Sequence, residues 1–470
     1  MIRLRPTSGN RCHPFVTGLY LKLASLGSAQ WSFEQLRSSE KSRFVKLSNL
    51  MWVFLGLLAT WLLAHRLMQS HLAAMVVTIV VFWFTFHTAP LVDTLYTELP
   101  AAVLLLWTSY ALLVAIQKSS LLLFLLVGLL LGMLALTKAA FLYIGVVAIP
   151  LTGILLALSA RVNQRSMLRA SMLPSLAMAV GLTVILSPWI IRNHLLLGET
   201  EISQRASVIY GRAVMNQMSM EEIKGVFYLY GPYLYQRAVA GTTLADRGDD
   251  FERGGRWQRL NRGASSFALS DREAQYAGRP DKAVSFHRII AAEGIAFRQK
   301  AEAFGDLDPS GATEDHFRDE GMRMILEQPG RHLLLSVPFF WKGFWSFPDV
   351  RIPFAPVHWQ QEIVEIVNLL SGLALFGLFL VGVLRLRLEW VAVTLLPIGM
   401  LLLHAMFTHN IPRYSLPAHP LMILALTLGL FTASKSSFMW IRNRALMLRL
   451  DRSCNHTPHQ CKRSLPIDRG

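Results

Sequence analysis

The sequence predicts an all-α polytopic membrane protein, and three observations carry this prediction. Hydrophobic residues make up 53% of the 470 residues and charged residues only 16%, with a mean hydropathy of +0.39, which is far from the values of soluble domains. The apolar residues fall into continuous runs of about 20, the length that a helix needs to cross the hydrocarbon core. These runs lack the alternation of polar and apolar residues that is typical of membrane β-barrels.

The runs also divide the chain. They predict spans at 47–66, 71–88, 97–116, 119–137, 141–159, 170–190, 361–384, 388–407 and 415–434. The resulting regions are an outer-face loop with an interfacial helix (1–46), a bundle of about six spans (47–193), an outer-face insert with an interfacial helix (194–360), a bundle of about three spans (361–434) and a basic cytoplasmic tail (435–470). The interfacial helices are predicted at 13–28 and in the aromatic segment after Pro329 and Gly330.

Orientation follows from the basic residues of the short loops. By alternation, one side receives the basic tail and the loop residues Lys118, Arg161, Arg165, Arg169, Arg385 and Arg387. We assign that side to the cytoplasm, although Lys41, Arg43 and Lys46 violate the rule locally. The net charge of +16 is then expected to reflect topology and anionic lipids rather than nucleic acid. This orientation places residue 1 outside without a span or signal peptide, so we expect a missing upstream segment.

A few charged residues at the ends of spans are the candidate site. Counting crossings returns Glu98, Lys138, Arg192 and Arg413 to the outer face each time, and Asp93 lies in the loop before Glu98. A carboxylate at such a depth is costly unless it is paired or solvated. Simpler readings exist: Glu98 could complement a helix dipole, Lys138 could extend its side chain to the interface, and Arg192 could anchor the span.

The second half adds a polar loop, HAMFTHNIPRYSLPAHP, that contains Arg413 and Tyr414, with His404, His409 and His419 nearby. Several cations around a carboxylate suit a phosphate headgroup, because Arg can bind two of its oxygens and Lys adds a point charge. An ion path would instead place carboxylates near mid-span. In the tail, the run from Cys454 to Cys461 contains metal-ligand residue types, but its spacing matches no standard zinc pattern.

Five segments resemble, in order, landmarks of the polytopic C-type glycosyltransferases (GT-C): APLVDTLYTELPAAVLLL, GLLLGMLALTKAAFLYI, LSPWIIRNHLLLGE, MILEQPGRHLLLSVPFFWKGFW and HAMFTHNIPRYSLPAHPLMILAL. The similarity is to the branch of protein O-mannosyltransferases and bacterial aminoarabinose or lipopolysaccharide-core sugar transferases. The segment RCHPFVTGLYLKLASLGS also resembles that family's interfacial helix. The resemblance covers about residues 13–434 and implies a GT-C-like helical bundle with interfacial helices and a periplasmic insert.

The resemblance implies an inverting transferase in the inner membrane of a bacterium, with its active face in the periplasm. It would move a hexosyl or pentosyl group from a polyprenyl-phosphate donor to a lipid, glycan or protein acceptor. Lys138, Arg192, Arg413 and Tyr414 would bind the donor phosphate. Glu98 and Asp93 are the carboxylate candidates, with Glu98 orienting the acceptor or holding Mg²⁺ or Mn²⁺.

One departure from the family is serious. The family's catalytic base is an Asp early in the first outer loop, and this chain has no Asp before Asp93. A misassigned start, a truncated or inactive chain, and a role for another carboxylate all stay open. Two other function classes therefore remain: a carrier or flippase for lipid-linked sugars, and an inactive truncated pseudoenzyme.

Overall fold

The computed structural model describes residues 46–87, 97–162, 166–197, 206–242, 244–245, 249–261, 266–306, 308–346, 357–408 and 412–434. Asp93, His409, the predicted helix at 13–28 and the tail from residue 435 lie outside these ranges. The described chain is helical, and its only β-type pairing is a set of isolated bridges at Ala245.

Six apolar helices form the first part of the bundle. They are α1 (Ser48–Met68), α2 (His71–Val81, continued by a π-helical turn at Phe82–Phe86), α3 (Glu98–Lys118), α4 (Leu121–Thr137), α5 (Ala140–Val162) and α6 (Met167–Leu197). Each starts and ends within a few residues of a predicted span, except that α6 runs seven residues beyond its predicted end.

The insert is built from shorter helices. These are α7 (Ala206–Val214), α8 (Met220–Leu229), α9 (Tyr233–Val239), α10 (Ala268–Tyr276), α11 (Phe286–Ala303), α12 (Pro309–Glu327) and α13 (Pro329–Trp345). The predicted break at Pro329 is present, because α13 starts with that proline directly after α12. Proline is well tolerated there, since the first helical residues have no intrahelical partner for their N–H groups.

Three further helices complete the bundle: α14 (Val357–Leu384), α15 (Leu388–Phe407) and α16 (Arg413–Ser434). In the described part of the chain, seven helices are long and apolar enough to cross a membrane, and α4 and the helix formed by α2 with its π-helical turn are shorter apolar helices. All nine coincide in order with the predicted spans. The chain is an all-α polytopic membrane protein.

Short turns between the spans have local causes. Gln69 ends α1 in the left-handed conformation (φ 52°), and the Ser70 side chain then accepts a hydrogen bond from the backbone N–H of Ala73 to start α2. Ser caps of this kind satisfy an N–H group that has no partner within the helix. A reversal over two residues makes α1 and α2 antiparallel neighbours.

Helices α4 and α6 run parallel and are packed backbone to backbone. A Cβ atom at Gly128 would overlap the carbonyl group of Met178, and one at Gly181 would overlap the carbonyl oxygen of Leu125. Small residues allow such close approach between membrane helices. Because α4 and α6 run in the same direction, Lys138 after α4 and Arg192 near the end of α6 lie at the same end of the bundle.

Two apolar cores meet along α13. Phe344, near the end of α13, belongs to the core of the bundle, whereas Leu335 and Phe339 belong to a second core within the insert, which also includes Ala405 of α15. The insert is therefore packed against the end of the bundle that carries Lys138 and Arg192. Whether α13 lies in a membrane interface stays a prediction, since the structure contains no membrane.

Candidate functional site

A buried carboxylate organises the candidate site. Glu98 is in the first turn of α3 and its side chain is 2% exposed. Its Oε1 accepts a hydrogen bond from Arg413 Nε at 2.6 Å and lies 3.2 Å from Lys138 Nζ. Its Oε2 is also buried and has no hydrogen-bond partner among the described residues. Three predicted site residues thus meet at one end of the bundle, as expected from counting spans.

The local structure positions both cations. Lys138 follows the last residue of α4 with an extended backbone, and its N–H donates to the carbonyl of Leu134 at 2.7 Å. Its side chain is only 11% exposed, whereas that of Arg413 is 46% exposed. Two cations around one carboxylate give the group a net charge of +1, and the more exposed cation is the arginine. The site therefore offers an accessible guanidinium to an anion.

Tyr414 belongs to the same group. Its ring stacks on His404 of α15 with centroids 4.8 Å apart, and Lys138 Nζ lies 5.8 Å from its centroid. This aromatic contact joins the last turn of α15 to the first turn of α16, which carries both Arg413 and Tyr414. Glu98, Lys138, Arg413 and Tyr414 therefore form one group, which we call the Glu98 cluster.

Arg192 is placed differently. Its guanidinium lies 4.8 Å from the ring of Trp189, one turn earlier in α6, and its Nη1 donates to Asn193 Oδ1 at 3.5 Å. These contacts fit the simpler reading of an anchor at the membrane surface. Its predicted role in phosphate binding stays a prediction, as does any role of Asp93, which the structure does not describe.

A metal at Glu98 gains no support from the residues around it. Mg²⁺ and Mn²⁺ need several oxygen ligands, and no group of three His, Cys, Asp or Glu side chains suited to a metal occurs in the described ranges. Glu98 is the one acid of its cluster there, and its Oε1 is engaged by cations.

A second polar network crosses the bundle below the site. His419 of α16 is 1% exposed, with Nδ1 3.0 Å from Thr85 Oγ1 and Nε2 2.8 Å from Asn368 Oδ1. The tautomer with a proton on Nε2 satisfies both contacts: the ring donates to Asn368 and accepts from Thr85. Three spans are joined in this way, and the fully paired network indicates a structural role.

A third network fastens the insert to the bundle. Arg212 of α7 is fully buried; its Nε donates to the carbonyl of Ala405 at 3.2 Å, and its Nη2 donates to the carbonyl of His332 at 2.9 Å. His332 Nε2 lies 2.8 Å from the carbonyl oxygen of Met406. The carbonyls of Ala405 and Met406 belong to the last turn of α15, where helix carbonyls lack intrahelical partners. We call Arg212 and His332 the α15 clamp.

Burial sets the charge states of the α15 clamp. Desolvation lowers the pKa of Arg212 to about 9, so the guanidinium remains cationic at neutral pH. Desolvation and the neighbouring charge of Arg212 lower the pKa of His332 to about 4, so its ring is neutral. One cation among carbonyl dipoles is the arrangement that an isolated buried arginine needs.

Sequence reasoning missed the α15 clamp and two members of the His419 network. Asn368 carries a signal that could have been used, because it is a polar residue within a predicted span. Thr85 and Arg212 carry none, since Thr85 lies 334 residues from His419 and Arg212 lies 120 and 193 residues from His332 and Ala405. No protein-family model, no curated protein and no solved structure matches this chain. A proposal for the function therefore depends on the geometry of the Glu98 cluster.

Proposed function

We propose that this protein is a membrane-embedded glycosyltransferase that takes a sugar from a polyprenyl-phosphate donor. The observation that supports it best is the Glu98 cluster: a buried carboxylate holds Lys138 and Arg413 together at one end of the bundle. Arg413 is half exposed beside Lys138, so a phosphate can approach the pair. Both cations are held by packing and by Glu98, and this preorganisation favours binding of an anion.

The proposed reaction needs cations that stabilise the departing phosphate and a base that accepts the proton of the acceptor hydroxyl. An acceptor hydroxyl oxygen bonds to the anomeric carbon, and the bond from that carbon to the phosphate oxygen breaks on the opposite face, which inverts the configuration. The electron pair of the breaking bond passes to the phosphate, whose growing charge Lys138 and Arg413 stabilise. The hydroxyl proton passes to a carboxylate base. Asp93, five residues before Glu98 in the chain, is the remaining candidate for that base.

Glu98 has a positioning role in this scheme. Its Oε1 is engaged by the cations, and its Oε2 is buried without a hydrogen-bond partner among the described residues. We propose that the reaction takes place at the outer face of a bacterial inner membrane. The position of the cluster, at the end of the bundle opposite to the basic turn of Arg385 and Arg387, supports the outer face.

A binding measurement tests the phosphate assignment without knowledge of the sugar. The purified full chain is titrated with polyprenyl monophosphate in detergent and followed by native mass spectrometry, comparing wild type, Arg413→Ala and a control, Arg387→Ala. Loss of a charged hydrogen-bond partner costs about 1.5–3 kcal/mol, so the Arg413→Ala variant should bind roughly 10 to 150 times more weakly. Equal affinity of the Arg413→Ala variant and wild type would refute the assignment.

A second arm separates transfer from transport. Proteoliposomes are supplied with radiolabelled polyprenyl-phosphate sugars and with lipid, glycan or peptide acceptors. Radiolabel that appears on an acceptor with wild type, but not with Arg413→Ala, supports the transferase. Movement of the intact lipid-linked sugar across the bilayer without transfer would instead identify a carrier, and binding without either activity would identify an inactive chain.

A further inference from the structure

An apolar cavity of about 600 Å³ lies between the insert and the bundle, and none of its lining residues belongs to the Glu98 cluster. Four helices line it: α8 and α9 of the insert, the aromatic helix α13, and residues 365–369 of α14. Its walls include Phe227, Tyr235, Val337, Trp341, Ile366 and Leu369. The volume is in the range of roughly 300–1,000 Å³ that is usual for sites of small ligands.

The cavity opens to the surface of the protein. Val337 on α13 is 53% exposed and Ile366 on α14 is 44% exposed, although both line the cavity. Such large apolar side chains are not left facing water over a contiguous area without a reason. The mouth of the cavity therefore faces an apolar medium or an apolar ligand.

The surface of α14 shows which medium this is. Its exposed large apolar residues recur at helical spacing and form one stripe along the helix: Ile366, Leu370, Leu373, Leu380 and Leu384. Gly377 completes this stripe, with open space where its side chain would be. In a membrane-spanning helix such a stripe contacts lipid chains. Ile366 belongs to both the stripe and the cavity, so the cavity is continuous with the lipid-facing surface.

The polar groups of the cavity indicate what it does not bind. Glu365 is the one charged residue among the described lining residues, and its Oε2 already accepts the backbone N–H of Tyr233 at 2.8 Å. Next to it, Glu362 pairs with Arg237 Nη1 at 2.7 Å. These contacts fasten α9 to α14 and place no cation in the lining. An apolar chain therefore fits the walls, whereas a phosphate or sugar does not.

We propose that this cavity holds one acyl chain of a bilayer phospholipid, which enters along the stripe of α14 and inserts beneath α9. The chain would fill the space between the insert and α14 and hold α9 at the membrane surface. The proposal concerns a site separate from the Glu98 cluster and does not depend on glycosyl transfer.

Photocrosslinking tests this site. The full chain is reconstituted in phosphatidylethanolamine and phosphatidylglycerol vesicles that contain a trace of phosphatidylethanolamine with a diazirine on one acyl chain. We expect crosslinks at two places, the cavity residues of α9 and α13 and the stripe at Leu373. In Ala238→Trp, which fills the cavity from α9, the cavity crosslinks should fall at least severalfold while the Leu373 crosslink persists.

Two outcomes would overturn the proposal. One is crosslinking at Leu373 without any at α9 or α13 in wild type, because the acyl chain would then stay on the lipid-facing stripe. The other is unchanged crosslinking of α9 and α13 in Ala238→Trp, since the label would then reach these helices by a different route. A second filling variant, Leu369→Trp on α14, gives the same comparison if Ala238→Trp does not fold.

Discussion

At the scale of single residues, Glu98 is the group on which its neighbours depend. Its side chain is 2% exposed and holds Arg413 Nε at 2.6 Å and Lys138 Nζ at 3.2 Å. Removing one partner of a buried ion pair leaves the other charge uncompensated, which costs more than the pair contributes. Loss of Glu98 would leave two adjacent cations, one of them poorly solvated.

This dependence predicts strong coupling between Glu98 and Lys138. Glu98→Gln should lower the melting temperature in detergent, whereas Lys138→Met should lower it less, because Arg413 still pairs with Glu98. The double variant should lose clearly less than the sum of the two single shifts. Contacting residues couple by about 0.5–3 kcal/mol. Glu221 and Lys224, an exposed pair 2.6 Å apart, are the control and should couple by about 0.2–1 kcal/mol at most. Additive shifts at Glu98 and Lys138 would contradict the pairing.

A second residue-scale prediction concerns His332. Its pKa is lowered to about 4 from 6.5 by burial and by the charge of Arg212. Because the pKa of His332 is lower in the folded protein than in the unfolded chain, the unfolded chain binds more protons in this range. The folded insert therefore loses stability as pH falls from about 6.5 towards 4. We expect His332→Gln, which keeps an N–H donor for Met406, to show a smaller decrease in melting temperature between neutral and acidic pH. The same decrease in both proteins would refute the role of His332.

At the scale of elements, the close packing of α4 against α6 depends on glycine. A side chain at Gly128 would overlap the backbone of Met178, whereas one at Gly377 on α14 would enter open space. These two glycines form a matched pair for the same substitution.

We therefore expect Gly128→Leu to lower the melting temperature sharply or to prevent accumulation of the folded protein, since overpacking costs about 1–3 kcal/mol or more. Gly377→Leu should change it little, because the added side chain faces lipid. The measurement is thermal unfolding in detergent together with the yield of protein that elutes as one species. Equal melting temperatures and yields of the two variants would contradict the close packing of α4 against α6.

Elements were also the scale at which the sequence was most predictive. All nine apolar helices were expected from run length alone, because the hydrocarbon core requires about 20 residues whatever their identity. Counting spans predicted that Glu98, Lys138 and Arg413 share one end of the bundle. What could not be predicted is pairing within one membrane face: Arg192 and Lys138 share an end of the bundle, yet Arg192 contacts Trp189 of its own helix.

At the scale of the whole molecule, the insert is attached to the bundle by polar contacts as well as by an apolar core. Arg212 and His332 donate to the last carbonyls of α15, and the same turn carries His404, which stacks on Tyr414. A displacement of the insert that moves the last turn of α15 would therefore also move His404, on which Tyr414 stacks. The insert and the Glu98 cluster are therefore joined through the last turn of α15.

Topology is the property of the whole chain on which the site depends, and it can be measured directly. Single cysteines are introduced at His194, Lys224, Lys118 and Arg385 after Cys12, Cys454 and Cys461 are replaced by Ser. A membrane-impermeant maleimide should label His194→Cys and Lys224→Cys in intact cells, since the expected orientation places the end of α6 and the insert on the outer side. Lys118→Cys and Arg385→Cys should react only after permeabilisation, because basic turns are retained in the cytoplasm. Labelling of His194→Cys and Arg385→Cys from the same side would contradict the arrangement of spans, and labelling with the two pairs exchanged would place the Glu98 cluster at the cytoplasmic face.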